Sequence, residues 1–444
     1  MPILELVEFS WRPIMLVRFT VGNFLSFDTN QSLSLIADAH LGFGERVFTV
    51  DSVQLLKFGA IFGANAAGKS NVIKAMAFAH SMIKQGTAAI KNPEVYCRLK
   101  SENRSKPSYF EFEIALDDSL YAYGFEVIIA ESVITEEWLV KLTKEKEQTL
   151  FARNTQKQTF VYDTLLFAVP VGPHLEALKG AENTLLIQSN ALPAILGEVQ
   201  SWFNHLTLAN PSSALTGYGA FPIEDWGRLS KAITHFSTGI SQIAFRGVDE
   251  KEVSSHVPPA YRGQYEADKE RALKRQVPYR LQIGSRLFLM QQKSGALQFS
   301  EVGFAHKEAY FGYDEESDGT RRLLDLLSVL VTSEPGSVVF IDEIDRSLHP
   351  KLTLQFVKNY LELAKTQNVQ LVVTTHESLL LNLQLLRRDE IFFVEKNQEG
   401  ASVIYPFDQF QEQFDAHLEQ AYLNGRYGGV PFFGGFYLPE EDEE

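Results

Sequence analysis

Gly63-Ala64-Asn65-Ala66-Ala67-Gly68-Lys69-Ser70 fits the G-x-x-x-x-G-K-[ST] phosphate-binding pattern at every specified position. Its flanks agree with it. Lys57 to Phe62 (KFGAIF) reads as a buried strand, and Asn71 to Ala79 (NVIKAMAFA) as a helix with Val72, Ala75, Met76 and Ala79 on one face. A turn between strand and helix lets successive backbone N–H groups wrap an anion at the positive end of the helix. In such a loop the glycines allow close approach, Lys69 can reach the β/γ-phosphates, and Ser70 can ligate Mg²⁺. The plain structural alternative is a Gly/Ala-rich turn that binds nothing.

A second set of motifs lies far downstream. Val338 to Ile341 (VVFI) is a continuous apolar run, as expected of a central parallel strand, and it ends in Asp342-Glu343. Two carboxylates at the carboxyl end of a strand stand where α/β sheets bind ligands. Asp342 is the candidate to hold Mg²⁺ through water, and Glu343 the candidate to orient and deprotonate the attacking water. Gln370 to Thr375 (QLVVTT) is another buried strand and delivers His376, able to donate to a γ-phosphate or to cap a strand end. Ser317-Asp318-Gly319-Thr320 precedes a helix with Leu323, Leu326, Leu327 and Leu330 at helical spacing. Its first amides suit an anion, and a simple N-cap explains it equally well.

The rest of the chain bounds the reading. At 444 residues, with 45% apolar and 22% charged side chains, it is an ordinary globular protein long enough for two or three domains. Cys97 is its single cysteine, so no disulfide within the chain and no multi-cysteine metal site can form. No apolar run reaches the ~20 residues of a membrane helix and no signal peptide is visible, so a cytoplasmic location and no membrane partner are expected. The net charge of −15 argues against coating nucleic acid with the whole surface. Five of those negative charges fall in the tail Glu440 to Glu444.

Met1 to Ile14 reads as an appendage, either a segment ahead of a native start at Met15 or a frayed extension. Leu16 to Val21 and Ser32 to Ile36 read as strands. Tyr109 to Ile114 and Tyr121 to Ile129 form a hairpin pattern about Asp117-Asp118-Ser119, continued by Ile134 to Leu142 and Gln158 to Tyr162. Helical spacing runs over Ala191 to Leu206, Trp226 to Phe236 and Glu266 to Arg275. No heptad repeat persists. Arg262, Lys269, Arg271, Lys274, Arg275 and Arg280 alternate with Tyr261, Tyr265 and Tyr279. They are either a solvated helix face or a contact surface for nucleic acid or an acidic partner.

The order phosphate loop, S-D-G-T-R-R-L, V-V-F-I-D-E-I-D-R-S-L-H-P and V-V-T-T-H resembles the ABC-type ATPase heads of SMC, RecF and related proteins. It is closer still to stand-alone AAA-family ATP-binding proteins of bacterial phage-defence loci, the RloA-like and abortive-infection ATPases. The resemblance extends to Leu16 to Phe27 and the closing Gly425 to Phe432. It implies an α/β P-loop head, with a mixed central sheet, flanking helices, an antiparallel β layer and an inserted, mostly helical lobe. The expected division is 1–182 (first half of the head), 183–305 (inserted lobe) and 306–444 (second half).

The resemblance also implies ATP and Mg²⁺ sandwiched between two copies. Gly63 to Ser70, Asp342, Glu343 and His376 would serve one nucleotide in cis. Ser317, Gly319 and Thr320 would contact the partner's nucleotide, and Asp345 would communicate between the sites. Asp318 departs from the family pattern, standing where glycine is usual, and a glutamine of the lid loop is not found. The long interval between Lys69 and Asp342 disfavours a transporter subunit. No nuclease constellation follows His376, so the expected effector, a nuclease or Toprim-like protein, is a separate chain. A RecF- or SMC-like repair or recombination ATPase that binds DNA is the alternative, and negligible turnover on a degenerate scaffold a third reading.

Overall fold

The computed structural model describes residues 14–143, 146–163, 178–189, 193–209, 218–222, 226–236, 238–275, 278–333, 335–410 and 418–423. The acidic tail, the closing Gly425 to Phe432 and all but the last residue of the Met1–Ile14 appendage lie outside them. The chain divides into two compact units, one built on Leu206–Leu371 and the other on Arg12–His205 with Val372–Glu444. This grouping differs from the three-part division read from the sequence. The strand-rich layer shares a unit with the final strands, and the middle lobe shares one with the carboxylate pair.

In the unit that carries the phosphate loop, seven antiparallel strands lie in the order Thr159–Tyr162, Glu147–Asn154, Val133–Leu142, Ser119–Ile128, Ser108–Leu116, Ile14–Gly22 and Gln31–Ser34. The hairpin predicted about Asp117 is present, with Leu116 opposite Ser119 and Asp117 in the left-handed region at φ 50°. One face of Ser108–Leu116 is apolar because Phe110, Phe112 and Ile114 alternate with Glu111 and Glu113. Phe110 and Phe112 are fully buried, and Phe112 meets Phe203 edge-on. Rings of this size each contribute about 1.5–3 kcal/mol through burial.

The buried charges of this layer are fully engaged. Glu137 accepts from Tyr123 Oη (2.9 Å), Arg153 Nε (2.8 Å) and the backbone N–H groups of Leu186 and Ile187. Arg153 in turn donates to the carbonyls of Leu178, Ala181 and Thr184. Two opposite charges removed from water are tolerable only when their remaining donors and acceptors are met, as they are here. The pair thus pins the stretch around 178–187 onto the sheet.

Beside this layer, in the same unit, runs the strand Phe58–Phe62, buried at every residue and paired in parallel with Ile391–Lys396. Ser402–Pro406 adds antiparallel to the latter. The N–H of Thr375 donates to the carbonyl of Ile61, so the end of Gln370–Thr374 also lies along Phe58–Phe62. Helix Lys69–Gln85 buries Val72, Ile73, Ala75, Met76, Ala79, Met82 and Ile83, a face wider than the four predicted positions.

The other unit contains, from Leu206 onward, the stretch expected to be mostly helical; residues 183–205 fall in the unit of the phosphate loop. Helices Trp226–Thr234, Glu250–His256 and Arg262–Arg275 are present, but they share the lobe with an antiparallel sheet. Its order is Tyr218–Pro222, Tyr279–Ile283, Arg286–Lys293, Ala296–His306 and Gln242–Val248, with Ala309–Gly312 pairing to Ala296–His306. These strands escape a period-two search because Leu287 to Met290 form an unbroken buried run. Their turns were the available signal. Ser294 and Gly295 adopt φ 51° and 83° between paired Lys293 and Ala296, the two-residue geometry that matches strand twist. Val253, Val257, Tyr265 and Ala272 pack with Leu281, Phe288, Met290 and Phe299 to form the core.

This packing also settles much of the basic cluster. Tyr265 and Tyr279 are buried. Lys269 is paired with Glu250 and Glu266, Arg271 with Asp268, Lys274 with Glu270, and Arg280 with Asp325. Four of the six cations thus face carboxylates of their own chain, and the two aromatic rings are unavailable for stacking on bases.

Candidate nucleotide site

The phosphate loop is held in shape by close backbone approach. Gly63 follows the buried strand, and a Cβ there would sit 2.3 Å from the carbonyl oxygen of Val394. Gly68 has φ 117°, and a Cβ would lie 2.2 Å from Ser402 Oγ and 2.9 Å from Ser26 Oγ. Ala66 turns the loop at φ 62°. Gly68 is the N-cap of helix Lys69–Gln85, whose first turn carries no acidic residue. The first N–H groups of a helix have no partner within it, so this end favours an anion.

Three residues that motif reading passed over brace the loop from below. Ser402 Oγ donates to the carbonyl of Ala67 (2.5 Å) and lies 2.7 Å from Ser26 Oγ. Asn71 Nδ2 donates to the same Ser26 oxygen at 2.7 Å, and the N–H of Ser402 donates to the Ser26 carbonyl. Ser26 falls within the stretch Leu16 to Phe27 of the family resemblance, which was the only sequence signal for it. Gly68→Ala is expected to bring about 1–3 kcal/mol of backbone strain and a steric clash with Ser402. Its nucleotide affinity should fall with its melting temperature; a titration identical to wild type would show that the loop does not need this geometry.

Lys69 and His376 come together although more than three hundred residues separate them. Lys69 is buried, and its Nζ donates to the carbonyls of Gly63 (2.6 Å) and Ala64 (3.0 Å) and lies 3.4 Å from His376 Nδ1. An ammonium can only donate, so Nδ1 accepts and the ring proton of His376 belongs on Nε2. Thr374 and Thr375 are fully buried while His376 is exposed, placing the imidazole at the mouth of the strand end.

The carboxylates belong to the other unit. Val338–Ile341 is buried throughout and pairs in parallel with Leu206–Ala209, and the N–H of Asp342 continues the ladder to the Ala209 carbonyl. Asp342 is 4% exposed. Glu343 is half-buried with φ 48°, an uncommon conformation for a residue bearing a Cβ. Asp345 is half-buried two residues on, and its carbonyl accepts from the N–H of Leu348.

The S-D-G-T turn lies in the same unit as Asp342 and Glu343. Ser317 caps helix Asp318–Thr332, its Oγ accepting from the Thr320 N–H at 3.1 Å. A Cβ on Gly319 would come 2.7 Å from the Ser347 carbonyl, so glycine lets this turn touch the loop beyond the carboxylates. Asp318 is exposed and ion-paired with Arg321, which offsets the charge that departs from the family pattern. Arg322 donates to the carbonyls of Asp342 (3.0 Å) and Glu343 (3.1 Å), and burial pushes its guanidinium below the ordinary arginine range. Sequence reading singled out none of these arginines.

The donor chemistry fits a hard cation. Ser70 and Asp342 offer oxygen ligands, as magnesium requires, and among the described residues no cluster of His, Cys, Asp or Glu forms a self-sufficient metal cage.

A phosphate loop entering a helix, with a histidine beside its lysine, on a mixed α/β fold, marks a P-loop ATPase of the AAA class. The chain belongs to the family described as "AAA domain, putative AbiEii toxin, Type IV TA system", whose model matches residues 58–158 and 196–382. Among solved structures it is similar to the SMC head domain from Thermotoga maritima, at 12% identity, with 88% of this chain and 98% of that one covered and a TM-score of 0.36. No curated protein matches the chain. Among the described residues no helix is long and apolar enough to cross a membrane.

Proposed function

We propose that this protein is an ATP-hydrolysing switch in which two copies close head to head on ATP and magnesium, and that it controls a separate effector in bacterial anti-phage defence. The observation that carries the reading is the contact between Lys69 and His376, a phosphate-binding cation and a γ-phosphate donor brought together from beyond the ends of two strands, Phe58–Phe62 and Gln370–Thr374. On this reading Gly63 to Ser70 cradle the phosphates, and Ser70 with Asp342 hold the metal. A magnesium ion held there would supply positive charge against the phosphates. Glu343 takes the proton of the attacking water, and His376 donates from Nε2. The Ser317, Gly319 and Thr320 turn completes the partner's site, and Asp345 carries information between sites. Membership of a family described as a putative AbiEii toxin of a Type IV TA system supports the defence setting.

The alternative, an ATPase that clamps DNA for repair or recombination, draws little from a basic cluster whose charges are mostly paired within the chain. Sedimentation of the purified protein in ATP and in ADP, beside steady-state phosphate release, tests the reading. ATP should double the mass and phosphate should be released. A monomer in both nucleotides would remove the two-copy mechanism, and salt-sensitive DNA retention in ATP would favour the alternative.

A further inference from the structure

Glu343 sits in a conformation its own chemistry does not favour. A non-glycine residue at φ 48° costs about 1–3 kcal/mol and persists only where its surroundings over-determine it. The carbonyl of Asp342 belongs to the peptide plane before the Glu343 Cα, and the carbonyl of Glu343 to the plane after it. Nη2 of Arg322 bonds both, at 3.0 and 3.1 Å. One nitrogen therefore fixes the two planes whose orientations define φ and ψ of Glu343, and with them the direction of its Cα–Cβ bond.

Arg322 is itself held. It lies on helix Asp318–Thr332, whose leucines 323, 324, 326 and 327 are buried. One turn further on, Asp325 is ion-paired with Arg280 of the strand Tyr279–Ile283, and Arg280 also donates to Ser328 Oγ at 3.2 Å. At the start of the helix the Gly319 backbone abuts the Ser347 carbonyl. The helix can neither slide nor rotate without breaking one of these contacts, which makes it a rigid mount for the guanidinium.

We propose that Arg322 is a positioning residue for Glu343 of its own chain, aiming the general base by clamping the backbone on both sides of it. This rests on the reading of Glu343 as that base. The test compares Arg322→Gln and Arg322→Lys with Glu343→Gln and with the double variant Arg322→Gln/Glu343→Gln, each assayed for ATP binding and for turnover per binding-competent molecule. Arg322→Gln should lose about a hundredfold in kcat, the usual consequence of a misplaced catalytic group, with KM for ATP little changed. Arg322→Lys, which keeps a cationic donor, should recover part of that loss. The double variant should be no slower than Glu343→Gln alone, because the arginine acts only through the carboxylate.

Normal kcat in Arg322→Gln beside a dead Glu343→Gln would overturn the inference and leave the reading of Glu343 intact. A loss expressed in KM, or one that adds to that of Glu343→Gln, would overturn it equally. Full turnover in Glu343→Gln would remove the reading itself, and the inference with it. Counting only molecules that bind ATP corrects for partial unfolding. Should the glutamine variant fail to fold, the lysine variant decides: intermediate kcat at unchanged KM supports the clamp, and wild-type kcat overturns it.

Discussion

Glu343→Gln is expected to bind ATP as the wild type does, to release phosphate at least about a hundredfold more slowly, and to accumulate as a closed pair of chains. On the proposed reading the substitution removes only the proton acceptor. Glutamine has the same length and branching as glutamate, so it can occupy φ 48° at the same backbone cost and leave the Arg322 bonds to the Asp342 and Glu343 carbonyls in place. Asp342, the proposed metal ligand, keeps its carboxylate. Binding, which depends on the phosphate loop, should survive while the step that releases the pair is blocked. Phosphate release measured under excess ATP, with mass determined in the same buffer, reads both effects. Unchanged release would show that another group takes the proton from water, and the proposed mechanism would fall.

Lys69→Ala should act at the earlier step. Its ammonium is held by the carbonyls of Gly63 and Ala64 inside a loop otherwise built from backbone N–H groups. A charged hydrogen bond from it to a phosphate oxygen would contribute about 1.5–3 kcal/mol, so its loss should weaken ATP binding by about ten- to a hundredfold. Turnover and pair formation should fail together. Calorimetric titration with ATP and magnesium is the measurement, and a melting curve in the absence of nucleotide checks that the loop survives. Unaltered affinity would argue that the G-x-x-x-x-G-K-S stretch does not bind phosphate. The two variants separate binding from chemistry: one should be empty, the other full and stalled.

Local pattern carried much of the architecture. The phosphate loop with its strand and helix, the hairpin about Asp117 and the buried strand ahead of Asp342 appear with boundaries shifted by a few residues. Each is encoded by features a short window contains: an apolar run, an alternation, or a glycine where a Cβ would strike backbone. The lobe between 206 and 305 was harder to read. Its charged helix Arg262–Arg275 was visible, but strand Arg286–Lys293 is buried on both faces over Leu287 to Met290 and loses the alternation by which strands are recognised. The basic cluster stayed open between a solvated face and a contact surface for a related reason. Three of its ion pairs are local, but the partners Glu250 and Asp325 lie outside the cationic stretch, and only folding brings them alongside.

By itself, then, the amino-acid order determined which chemistry is available: a phosphate cradle, hard oxygen donors, a paired acid and an imidazole. It did so because those groups are set by residue type and by spacing within one turn or strand. Only the tertiary structure decided that Lys69 meets His376, that Ser26, Asn71 and Ser402 brace the loop, and that Arg322 clamps the backbone around Glu343. Those contacts join residues far apart in the chain, and hydrogen bonds of about 3 Å depend on where whole strands and helices come to rest.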